Sequence, residues 1–135
     1  MKKIIQSIKK LFLPKSIFDW YLMNGGTKMK TDQVKVLFKS IYKDYKHYSV
    51  IKNKENKDIN YQCFYYSFDR AMEALSERSK EILNRSYFQV EYPFWWLDFY
   101  SSTTYYRYRS KAINSFVFIF TCANESFKAR HSTAN

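Results

Sequence analysis

The chain has 135 residues, 21% of them aromatic, and 23 Lys and Arg against 12 Asp and Glu give it a formal charge of +11. That length holds one modest domain and is short for two. The charge points to an anionic partner, nucleic acid before a membrane surface, and no run approaches the roughly 18 apolar residues of a membrane-spanning helix.

Met1 to Leu13 starts with lysines but makes a poor signal peptide, because Lys9 and Lys10 split its apolar core. Ile4, Ile5, Ile8, Leu11 and Phe12 have helical spacing with lysines opposite, a helix of basic polar face. The stretch Asn24 to Met29 can be encoded by a purine-rich tract of the kind that positions ribosomes. Translation is therefore expected to start naturally at Met29, with 1–28 an upstream extension. Residues 1–28 carry six lysines and one aspartate, so a chain without them is still clearly basic.

From Thr31 to about Val50, apolar residues at Val34, Leu37, Phe38, Ile41, Tyr42, Tyr45 and Tyr48 follow the 3-4-3 spacing of an amphipathic helix. Thr31 or Asp32 caps it, and Lys35, Lys39, Lys43 and Lys46 form its outer face. Lys52 to Asn60 is polar and mixed in charge, a loop or linker. Ile59 to Leu75 resumes helical spacing, with Cys63, Phe64, Phe68, Met72 and Leu75 on one side. Cys63 and Cys122 have no flanking Cys or His pattern, so they read as reduced, buried thiols of a cytoplasmic protein.

The stretch from Ala74 to Val117 predicts three helices: Ser76 to Tyr87, a short one from Pro93 to Phe99, and a third from the Ser101-Ser102-Thr103-Thr104 cluster to about Phe118. Ser76 is the expected N-cap of the first, and Pro93 suits the first turn of the second. Phe94, Trp95, Trp96, Leu97 and Phe99 make the second apolar nearly all round, so it is expected to be largely buried. The hydroxyl cluster caps the third, and such helix starts also bind phosphate oxygens. At 100° per residue, Tyr105, Tyr108, Ala112, Ile113 and Phe116 share a core-facing arc. Thr103, Tyr106, Arg107, Ser110, Lys111 and Asn114 share the opposite one. Arg and Lys suit guanine edges or phosphates, Asn suits adenine, and small hydroxyls suit either. Arg109 falls within the apolar arc and is expected to snorkel to its edge. Charge is partitioned to match: residues 61–101 hold four basic and six acidic side chains, residues 102–135 five basic and one acidic.

The run Leu75-Ser76-Glu77-Arg78 followed by Ile82-Leu83, then Ser101-Ser102-Thr103-Thr104-Tyr105 followed by Ala112-Ile113, resembles the promoter-recognition domain of sigma factors known as region four. There a Leu-x-Glu-Arg helix start leads to a Ser-x-Ser-Thr-Val turn and an Arg-x-x-x-Ala-Leu helix. The stretch is also similar to ArpU-type phage regulators and to a family of small mollicute proteins with a Trp-Trp followed by a Ser-Thr-Tyr-Tyr-Arg run. The likeness covers about a third of the chain. It implies DNA contacts from Thr103, Thr104, Arg107 and Lys111, core places for Tyr105 and Ala112, docking in the major groove, and contact with RNA polymerase. Two departures stand out: the turn has no Gly, and Tyr92 to Phe99 is shorter and more aromatic than the usual first helix. Residues 29–70 are too short for a DNA-melting domain, so the resemblance implies a regulator and not a complete sigma factor.

No His/Glu, Cys/His or Ser/His/Asp arrangement has catalytic or ligand spacing, His47 and His131 are isolated, and Gly25-Gly26 is no phosphate loop. The expectation is a non-enzyme with no cofactor or metal. The fold expected is an all-α domain over 29–121, its helix-turn-helix at about 76–118, followed by a flexible tail at 122–135. Double-stranded DNA is the expected partner, read through Ser102, Thr103, Thr104, Tyr106, Arg107, Ser110, Lys111 and Asn114. Two alternatives remain open: a helical module docking on RNA polymerase or another acidic protein without reading DNA, and single-strand binding through exposed tyrosines.

Overall fold

A computed structural model describes residues 31–51 and 58–132, and every regular element among them is helical. Helix α1 spans Thr31–Val50, α2 Ile59–Ala74, α3 Glu77–Leu83 and α4 Ser102–Ser132; a π-helical turn, Asn84–Phe88, continues α3, and a 3-10 turn, Trp95–Asp98, precedes α4. The all-α expectation holds. The readings of residues 1–30 and of 52–57 lie outside the described residues.

Helix α1 buries Val34, Phe38 and Ile41 and leaves Lys35, Lys39, Lys43 and Lys46 exposed, as its 3-4-3 spacing requires. Helix α2 begins on Asp58, whose carboxylate accepts from the Asn60 amide at 2.9 Å. It ends where Leu75 and Ser76 turn extended, and Ser76 caps α3 by accepting from the Ser79 amide at 3.2 Å. Two extended residues thus redirect the chain without a glycine.

Helices α2 and α4 run antiparallel, since Phe64 meets Phe120 and Phe68, one turn later, meets Phe116. Ser67 and Ala71 on α2 and Ala112 and Ala123 on α4 are buried small residues that let the two backbones approach closely. The Ser67 hydroxyl donates to the Cys63 carbonyl at 2.8 Å, so its burial leaves no polar group unmet. Aromatic rings fill the wider space between this pair and α1. Phe88 is the hub, with its ring 4.9 Å from those of both Tyr45 and Phe68 and 5.6 Å from that of Phe116. The Tyr45 hydroxyl donates to the Phe88 carbonyl at 3.0 Å.

The π-helical turn puts this hub in place. The Gln89 amide reaches back to the Asn84 carbonyl at 2.6 Å, a five-residue step. The widened turn carries both Tyr87 and Phe88 toward α1, where each packs against Phe38 and Tyr42.

Two expectations need correction. The helix expected from Pro93 to Phe99 is only a 3-10 turn of four residues, and only Trp95 and Trp96 in it are buried; Phe94, Leu97 and Phe99 are more than half exposed. The last helix does not stop near Phe118. It continues to Ser132, because Phe120, Ala123 and Phe127 extend its buried stripe along α2. Much of the stretch read as a tail is therefore helix packed on the core. Among the described residues no helix is long and apolar enough to cross a membrane.

Candidate nucleic-acid interface

The candidate site is the N-terminal third of α4. Its cap is Ser101, one residue ahead of the predicted contact residues. The Ser101 hydroxyl accepts from the Thr104 amide at 3.3 Å and donates to the Thr104 hydroxyl at 2.9 Å. That leaves Ser102 and Thr103 exposed in the first turn, while Thr104 is half-buried and tied to the cap.

What fixes the orientation of this segment is an aromatic clamp. Tyr105 is buried and stacks on Trp96 with centroids 4.4 Å apart and planes 5° from parallel. Its hydroxyl lies 2.6 Å from the Ser86 hydroxyl, which also accepts from the Trp95 indole at 3.4 Å. Ser86 thereby joins the π-helical turn, the 3-10 turn and α4 at one polar point. Ile82, with Tyr100 and Tyr108 at the edge, completes a second small core distinct from the Phe88 hub.

With Tyr105 and Ala112 turned inward, the opposite arc must face out. Tyr106, Arg107, Ser110, Lys111 and Asn114 are all exposed. Arg109 snorkels as expected: half-buried, it lays its guanidinium over Tyr106 at 4.6 Å and Tyr105 at 5.6 Å. Burial raises the pKa of the Tyr87 phenol, and the nearby Arg109 charge offsets part of that rise.

Arg78 joins the site without any sign of it in the sequence pattern. It projects from α3 over the Tyr108 ring at 4.5 Å, and Arg107 lies over the same ring at 5.4 Å. Two guanidinium groups from different helices therefore share one tyrosine. Their proximity follows from how α3 packs on α4, and no spacing in the sequence announces it. Arg78, Arg107 and Arg109 make no ion pair with a carboxylate among the described residues. These like charges lie over aromatic rings and have no carboxylate partner among the described residues.

A groove of about 420 Å³ also borders Trp95, and its walls include Arg85, Glu91, Tyr92, Asp98 and Phe99. It mixes both signs of charge, unlike the α4 face. Among the described residues no group of three or more His, Cys, Asp and Glu could hold a metal ion. Cys63 and Cys122 are both thiols; Cys63 is buried as expected, Cys122 only partly so, and burial raises the pKa of Cys63.

No family model matches the chain, and comparison with curated proteins and with solved structures finds no match.

Proposed function

We propose that the protein is a sequence-specific double-stranded DNA-binding regulator, similar in design to sigma region four, with the N-terminal third of α4 as the recognition element. The observation that carries this reading is the outward arc of Thr103, Tyr106, Arg107, Ser110, Lys111 and Asn114, flanked by Arg78 and left without internal carboxylate partners among the described residues. In this reading Arg107 and Asn114 read base edges through paired hydrogen bonds. Lys111, Arg78 and the exposed Ser102 hydroxyl hold phosphates and set the register. A contact with RNA polymerase belongs to the same design and involves the surface beside the helix.

The test is a titration of labelled duplex at two salt concentrations, repeated with the matching single strand and with RNA polymerase added. With roughly six phosphate contacts, affinity for duplex falls about a thousandfold between ~50 and ~200 mM salt. Tighter binding to the single strand, or binding to polymerase alone, would replace this reading.

A further inference from the structure

The loop between Phe88 and α4 displays apolar side chains that stay exposed among the described residues. Val90, Tyr92, Phe94, Leu97 and Phe99 are 47%, 60%, 57%, 58% and 66% exposed. Five such residues within ten positions of one loop exceed the scattered exposure normal for a monomer. Their exposed area is on the order of 500 Å², a large part of the ~800 Å² that each partner contributes to a specific interface.

The charges within the patch select the occupant. Arg85 sits over Trp95 at 5.1 Å and lines the groove together with Glu91 and Asp98. None of the three makes an ion pair among the described residues. A nucleic acid or an anionic bilayer would meet two carboxylates here, and an acidic protein would as well. A partner of one sign always leaves some of these groups opposed. A second copy, related by a two-fold axis, supplies both signs. It also supplies shape, since Phe94 and Leu97 are exposed outside the groove lining while Tyr92, Trp95 and Phe99 form its walls.

We propose that the chain forms a two-fold dimer through this loop. Each copy seats Phe94 and Leu97 in the other's groove and pairs its Arg85 with the other's Glu91 or Asp98. The dimer does not depend on DNA binding. If both hold, the loop's junction with Ser101 places two α4 starts about one axis, and the target is a pair of inverted half-sites.

Sedimentation velocity on the full chain from about 1 to 100 µM tests it. The expected result is a shift from one to two chain masses in wild type. The double variant Phe94→Asp, Leu97→Asp should remain monomeric throughout, with an unchanged helical circular-dichroism spectrum because both positions are exposed. Arg85→Glu should weaken association at least tenfold, and adding Glu91→Arg and Asp98→Arg to it should restore association. Wild type monomeric at 100 µM, or a dimer indifferent to the Asp variants, overturns the proposal. So does a monomeric wild type that binds anionic vesicles through Phe94 and Leu97.

Discussion

Phe88 is the residue on which the larger core depends. Its ring touches those of Phe38, Tyr42, Tyr45, Phe68 and Phe116, which come from three helices. Its carbonyl is also held by the Tyr45 hydroxyl. Phe88→Ala should cost about 3–5 kcal/mol, a large share of the ~5–15 kcal/mol that a domain has in total. Urea unfolding measures it, and a cost below about 1 kcal/mol would contradict the hub. One thiol and three partly buried phenols make a second prediction at this scale. Burial raises the pKa of the Cys63 thiol from its ordinary 9.0 and those of the Tyr48, Tyr65 and Tyr87 phenols from 10.0. Each favours its neutral form in the fold, so the stability it contributes is complete below those ordinary values and is lost as pH rises through the higher folded ones. The urea midpoint should hold steady on approaching pH 9 from neutrality and then decline, with a shallower decline in Tyr87→Phe. An identical alkaline decline in that variant would rule out a contribution from Tyr87.

At the scale of elements, α4 does two jobs with one helix. Its first turns present side chains outward beyond the aromatic clamp, and its remaining turns form the long spine against α2. Ending the chain after Thr121 removes the buried Ala123 and Phe127 and the Asn124 side chain that receives the Cys63 thiol. Loss of Phe127 burial alone is worth about 2–3 kcal/mol, so the truncated chain should unfold at clearly lower urea. An unchanged midpoint would show the segment to be dispensable. The spine's apolar spacing through Phe120, Ala123 and Phe127 is present in the sequence, but the polar residues from Glu125 onward obscure it. Helices α1, α2 and α3 are legible because regular apolar spacing marks them, and the Ser76 cap marks the start of α3. The run from Phe94 to Phe99 is not. Apolar patterning assumes that apolar side chains turn inward, and here only Trp95 and Trp96 are buried by the chain itself. The outward arc of Arg107, Lys111 and Asn114 follows directly from projecting the helix. Arg78 and the Ser86 junction depend on tertiary packing, so spacing does not reveal them.

For the whole molecule, charge and shape separate two surfaces. The cations of the α4 start and the lysine face of α1 add to a positive field that salt screens. The loop after Phe88 carries both signs of charge and apolar area suited to a protein neighbour. The central claim is that α4 reads sequence and does more than attract phosphate. The most direct measurement compares wild type with the triple variant Arg107→Ala, Lys111→Ala, Asn114→Ala, binding a duplex selected by the wild type and a scrambled duplex at one salt concentration. All three side chains are exposed, so the variant should keep its fold. The preference for the selected duplex should shrink by about 1–3 kcal/mol for each base edge that is no longer read. A folded variant that discriminates the two duplexes as well as the wild type does would contradict that claim.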